Sequence, residues 1–137
     1  MAINVRRVCY FHTAVQDRPG EAYKLLSQLA EFGIGLHAMT AIPSGPLRTQ
    51  LTLFPEDVSK MEVEGKKAGL SLDGPYPALL IQGDDELGAL VRVHEQLYHA
   101  NVNVAAATGV ADGRGHYGYV LYFRPEDFER AAVALDV

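Results

Sequence analysis

Hydrophobic positions along the chain switch between two periods, and each switch marks an element. Val5, Cys9, Phe11 and Val15 fall on one face of an extended segment and Val8, Tyr10 and Ala14 on the other. A strand covered on both sides reads this way. Ala22, Leu25, Leu26, Leu29 and Phe32 then form a stripe at i, i+3, i+4 and i+7, which predicts an amphipathic helix. Gly33 follows, at the place where a helix end commonly needs a positive φ. Residues 36–42 read as a strand, 43–46 as a Pro/Gly turn, and 47–54 as a strand with Leu47, Leu51 and Leu53 inward. Pro55-Glu56-Asp57 predicts a helix start with acids in its first turn, and Gly69 ends that helix. A short strand at 70–72 would close a β-α-β-β-α-β unit.

Asp73-Gly74-Pro75-Tyr76-Pro77 reads as a linker, after which the pattern starts again. A strand at 78–82 leads through Asp84-Asp85-Glu86-Leu87-Gly88 into a helix carrying Leu90, Val93 and Leu97. Strands at 102–110 and 116–123 flank the hairpin turn Asp112-Gly113-Arg114-Gly115, and Pro125-Glu126-Asp127 starts a last helix. Asp17, Gly20, Leu29 and Ile34 match Asp85, Gly88, Leu97 and Val102 at an offset of 68. Leu51 and Pro55-Glu56-Asp57 match Leu121 and Pro125-Glu126-Asp127 at an offset of 70, with the two-residue change assigned to the hairpin turn. The chain is therefore expected to be an α+β duplication, residues 1–73 and 74–137. Each repeat would be a ferredoxin-like βαββαβ unit, an antiparallel sheet with its helices on one face. A unit this small is marginal alone, so the two should pack together. One joined eight-stranded sheet would remove an exposed edge. Apolar residues on both parities of the first and seventh strands suggest that the helix-free face is covered as well, with homodimerisation the expected means.

Composition narrows the function. At 48% hydrophobic and 21% charged residues the chain is an ordinary globular protein. Its formal net charge of −5 argues against a general electrostatic grip on nucleic acid or an anionic membrane. The opening MAINVRR lacks the apolar run of a signal peptide, no stretch reaches the length of a membrane span, and the single Cys9 forms no internal disulfide. A reducing cytoplasm is the expected compartment. The five histidines are scattered, neither Cys-x-x-Cys nor His-Glu-x-x-His occurs, and no nucleophile sits with a base. Neither catalysis, metal nor cofactor is expected. Arg114-Gly115-His116-Tyr117-Gly118-Tyr119-Val120-Leu121-Tyr122 looks like the third-strand motif of RNA-recognition domains. The repeat, however, turns Tyr117 and Tyr119 toward the helices, where they cannot stack bases.

The candidate chemistry lies in the strand-to-helix turns. Such a turn aims backbone N–H groups and the positive end of a helix dipole at one spot, which suits a carboxylate. Asp17, Asp84, Asp85 or Glu86 could accept from an ammonium. Asp17 and Asp85 could equally serve as helix caps.

Asp17-Arg18-Pro19-Gly20, then Leu25, Leu29 and Gly33-Ile34-Gly35-Leu36, resembles the signature of the ACT domain family of small-molecule-binding regulatory modules. The resemblance is specific in the first repeat and looser in the second. It implies non-catalytic binding of an amino acid at the interface of paired domains, usually to control an enzyme, which here would be a separate chain. The implied ligand-facing turn is Gln16, Asp17, Arg18, Pro19 and Gly20, and the implied opening of the second strand is Gly33, Ile34 and Gly35. Gly35 stands where the family has Asn. In the second repeat, Asp84, Asp85 and Gly88 form the turn with Leu87 in place of Pro, Asn101 replaces the first Gly, and Asn103 keeps the family's Asn. One composite site between the repeats fits these departures, and so does one purely structural site. A ligand-independent interaction subunit is the alternative.

Overall fold

The structure, a computed structural model, describes residues 3–137. Strand β1 (Ile3–Gln16) is followed by α1 (Glu21–Glu31), β2 (Leu36–Pro43), β3 (Arg48–Pro55) and α2 (Val58–Lys67). The second set is β4 (Asp73–Asp84), α3 (Ala89–His99), β5 (Ala106–Ala111), β6 (His116–Tyr122) and α4 (Pro125–Ala134). The chain divides into a first unit, Cys9–Tyr76, and a second unit made of Pro77–Val137 with the chain up to Val8. The expected repeat 1–73 kept that N-terminal stretch for itself; the structure gives it to the second unit.

In the first unit the strands lie in the order β2-β3-β1-β4. Antiparallel registers set Phe11 opposite Leu53 and Thr13 opposite Leu51. Phe11, Leu51 and Leu53 share one face, and Leu25 and Leu29 of α1 and Met61 of α2 pack on it. In the second unit the order is β1-β4-β6-β5, with Leu79 opposite Leu121 and Ile81 opposite Tyr119. Val93 and Leu97 of α3 and Phe128 and Ala132 of α4 cover that face, with Ile3 and Val5 packed at its margin. Each unit is α+β, an antiparallel sheet with two helices packed on one face. Tyr117 and Tyr119 lie in the helix-covered core, as the parity of the repeat required.

Two expectations fail for one reason. No strand forms at 70–72, and the supposed linker Asp73–Pro77 is the beginning of β4. Prolines 75 and 77 are tolerated because β6 pairs with β4 only from Leu79 onward, and an edge position asks for no donor from a missing N–H. Among the described residues there are thus six strands rather than eight, since β1 and β4 are long enough to give residues to both units. On the fourth side of the second unit, Arg6 of β1 donates to Gln82 of β4 at 2.9 Å.

The offset of 70 also gives way. Phe11 faces Leu53 where Leu79 faces Leu121, so β3 and β6 correspond at 68, as the turns do. Pro55 ends β3, whereas Pro125 is in the first turn of α4. The shared Pro-Glu-Asp triplets occupy different places in the two units. Asp57 is itself the cap of α2, its carboxylate accepting from Lys60 N–H at 3.0 Å.

Candidate functional site

The two strand-to-helix turns share one backbone. Asp17 N–H donates to Leu47 O and Asp85 N–H to Gly115 O, each at 2.8 Å. Arg18 N–H and Glu86 N–H close onto Gln16 O and Asp84 O, each at 3.0 Å. Gly20 and Gly88 follow with φ of 89° and 78°, left-handed values that favour glycine, and each is the N-cap of its helix. Neither helix has a side-chain cap. Asp17 and Asp85 therefore do not cap, because the glycine occupies the cap position and their own N–H groups are tied to the hairpin. Pro19 lies ahead of the cap, outside the helix. It also removes a donor: among the described residues, the second turn keeps two N–H groups without a backbone partner, Leu87 and Gly88, where the first keeps only Gly20.

Around the second turn the unit forms a hollow of about 740 Å³. Asp85, Glu86 and Gly88 rim it, Leu90 of α3 walls it, and Tyr117 and Tyr119 of β6 reach it from the sheet. Tyr117 is 9% exposed, and its buried hydroxyl has no hydrogen-bond partner. Buried polar groups almost always find one, so this hydroxyl is the exception in the region. Tyr119 donates to or accepts from His94 Nε2 at 2.8 Å. Burial pushes both phenols above their ordinary range, with the charge of Asp84 adding to the effect at Tyr117. A Cβ on Gly109 of β5 would stand 2.7 Å from the Tyr119 ring, so the missing side chain is what lets that ring lie across the strand.

The corresponding hollow of the first unit is about 400 Å³ and is lined by Gln16, Asp17, Arg18, Leu47 and Arg48. Its polar character comes from surface side chains. At the repeat positions of Tyr119 and His94 it has Leu51 and Leu26.

The remaining predicted residues stand elsewhere. Gly33, Ile34 and Gly35 follow the far end of α1, about 16 Å along the helix from Gly20. There Gly33 (φ 73°) and Asn101 (φ 57°) hold the same left-handed position after their helices. Ile34 N–H and Val102 N–H each reach back to a helix carbonyl, Leu29 O and Leu97 O, at 2.9 Å. Ile34 is core. A Cβ on Gly35 would meet the carboxylate of Glu56, an exposed side chain with room to swing aside. Asn101 O accepts from Arg130 at 3.3 Å, and Asn103 is exposed. Asp84 sits opposite His116, 4.0 Å from its ring nitrogen. Sequence reasoning missed Tyr117, Tyr119 and His94 as site residues. The signal was present: two tyrosines assigned to a core carry hydroxyls that need partners.

Among the described residues, no group of three or more His, Cys, Asp and Glu side chains is placed to hold a metal ion. No helix among them is long and apolar enough to cross a membrane.

No protein-family model matches the sequence, and no curated protein matches it. Solved structures do resemble the fold. A protein from Bacteroides thetaiotaomicron aligns over 96% of this chain and 88% of its own, with a TM-score of 0.78 at 17% identity. The ligand-free regulatory subunit of aspartate kinase from Thermus thermophilus aligns over 97% and 93%, with a TM-score of 0.60 at 15% identity. The corresponding subunit from Thermus flavus aligns over 98% and 93%, with a TM-score of 0.55 at 18% identity. At such identities the likeness establishes the fold, which is ACT-like.

Proposed function

We propose that this chain is a non-catalytic regulatory module that binds a small ligand, an amino acid, in the hollow at the head of α3. The observation that carries the reading is the hollow of about 740 Å³ itself, in which Asp85 and Glu86 stand beside two open backbone donors at a helix N-terminus. Such donors suit a carboxylate, and such acids suit an ammonium. The ACT-like signature and the fold shared with regulatory subunits of aspartate kinase support a module that acts on a separate enzyme. Asp85 and Gly88 of the expected site belong to this hollow, with Glu86 and Leu87. Gln16, Asp17 and Arg18 form the lesser, first-unit counterpart.

A second reading, an interaction subunit that needs no ligand, has its own observation. Tyr23 and Val91, and Ile42 and Val110, are exposed at matching positions of the two units. Apolar side chains that recur on the surface mark a face for a second copy or for the regulated enzyme.

Thermal unfolding with each of the twenty amino acids separates the readings. A ligand at about 100 times its dissociation constant stabilises by about 2.7 kcal/mol, which at least one amino acid should achieve. No shift with any of them leaves the interaction subunit.

A further inference from the structure

An outer strand leaves half of its backbone groups without a ladder. The outer strands are β2 in the first unit and β5 in the second. In an antiparallel ladder alternate residues bond to the neighbouring strand, and the others turn their N–H and C=O groups away from it. Asp112 N–H donates to His116 O and Ser44 N–H to Arg48 O, which sets the phase in both hairpins. Thr108 and Val110 therefore bond to β6, and Ala107, Gly109 and Ala111 face outward. On β2 the outward set is Met39, Ala41 and Pro43, the same repeat positions. Pro43 has no N–H to offer, and proline is a common guard of a sheet edge. β5 has Ala111 in that place, carries no charged residue, and is exposed along its whole length.

We propose that the β5 edge is an interface at which a second copy of this chain adds its own β5, antiparallel, about a two-fold axis at Gly109. This goes beyond the ligand site and does not depend on it. Gly109 faces its counterpart and Ala107 faces the partner's Ala111, with two hydrogen bonds to each such pair. All the outward groups of β5 are then used. The same phase sets Thr108 opposite the partner's Val110, a β-branched pair of the kind that stabilises sheets. Val110 is otherwise 72% exposed. Leu87 and Val91, also exposed, border the hollow together with Gly109, Val110 and Ala111 and widen the apolar surface beside the edge.

Charge favours a second copy over another strand. Past the Ala111 end, Asp84 lies opposite His116, Asp85 is tied to Gly115, and Glu86 and Asp112 are close by. These acids outnumber Arg114 there. At the other end Ala105 N–H donates to Tyr122 O, and Arg124 follows, exposed and without an ion pair among the described residues. An antiparallel copy brings the acidic end of each β5 to the Arg124 end of its partner, and like charges meet nowhere along the strands.

Sedimentation equilibrium of the full chain tests the proposal, and a dimer is expected. Val110→Lys and Ile42→Lys put the same charge at matching exposed positions of the two edges. The first should weaken dimerisation by at least about tenfold, since a lysine on an edge strand bars another strand. The second should leave it unchanged. Ala111→Pro, which gives β5 the guard that β2 has, should weaken it likewise and spare the ladder to β6. Should that variant not fold, Val110→Lys at its exposed position still decides. In hydrogen exchange, the N–H groups of Ala107, Gly109 and Ala111 should be protected in the dimer and released by Val110→Lys. A chain that stays monomeric at about 100 μM, a dimer indifferent to Val110→Lys, or one broken by Ile42→Lys instead would overturn the proposal.

Discussion

The turns at Gln16–Gly20 and Asp84–Gly88 are copies in backbone and opposites in side chain. Each ties an aspartate N–H to the carbonyl that precedes the third strand of its unit, and each delivers the chain into a helix through a left-handed glycine. Around that common frame the first unit places Arg18 and Arg48, and the second places Glu86 and a pair of buried tyrosines. The first turn also loses a donor to Pro19. The family-like motif is thus better kept in the first unit, whereas the proposed ligand site lies in the second. A frame that two copies share reports folding; what one copy adds to it reports function.

If the copies differ at their turns and not in their support, equivalent core residues must carry equal weight. Leu53 and Leu121 face Phe11 and Leu79 in matching registers, and both are fully buried. Leu53→Ala and Leu121→Ala should each cost about 3 kcal/mol, since each leaves a cavity between a sheet and two helices. Urea denaturation measures both. A difference between them larger than about 1.5 kcal/mol, the scatter that cavity collapse allows, would break the equivalence of the two cores.

The helices and their buried faces were legible because period carries them: Leu25 and Leu29, and Val93 and Leu97, are core as read. Parity carried the tyrosines too, since both 68 and 70 are even offsets, so the wrong offset still turned Tyr117 and Tyr119 inward. Four things were not legible. Pro75 and Pro77 look like punctuation, and only the extent of the β6 ladder shows that their missing donors are not needed. The Pro-Glu-Asp triplets matched in letters while one ended a strand and the other began a helix; strand register, absent from sequence, decides such cases. The Tyr117 hydroxyl was counted as core because a buried aromatic ring satisfies a hydrophobic pattern whether or not its oxygen is satisfied. Asp17 and Asp85 could be read as caps until the structure showed glycine in the cap position.

The shared frame can be probed where it is strained in one copy only. Leu47 has a φ of 62° and Gly115 a φ of 89°, at the same place in the two units. Leucine there is 79% exposed, so it gains little from packing. Leu47→Gly should stabilise by about 0.5 kcal/mol, the left-handed penalty removed less the entropy glycine adds. Gly115→Ala should destabilise by about 1 kcal/mol, since its Cβ would meet nothing and only the backbone cost remains. Opposite signs from these two variants in thermal unfolding would show that the turn demands one conformation in both units. A stabilising Gly115→Ala would show that it does not.

The smallest difference lies in the hairpins that complete the turns. Ser44 N–H donates to Arg48 O and Asp112 N–H to His116 O, at 3.1 and 2.9 Å, so the two hairpins close alike. Only the second has a carboxylate. Asp112 Oδ1 accepts from the N–H groups of Arg114 at 2.6 Å and His116 at 3.2 Å. These bonds, the Arg114 one foremost, hold its carboxyl below the usual carboxylate range, with the nearby His116 ring adding a lesser pull. A carboxyl lowered on folding contributes stability above its unfolded value and loses that contribution as pH falls through its folded one. Asp112→Asn, which keeps an acceptor and removes the charge, should therefore lower the unfolding midpoint by a small margin at pH 7. The margin should close as the solution is taken below about pH 4, where the unfolded carboxyl protonates. Ser44→Asn, which adds no charge, should show no such pH dependence. A margin that persists unchanged into acid would mean that the aspartate acts through shape alone, and the two hairpins would then differ in sequence without differing in electrostatics.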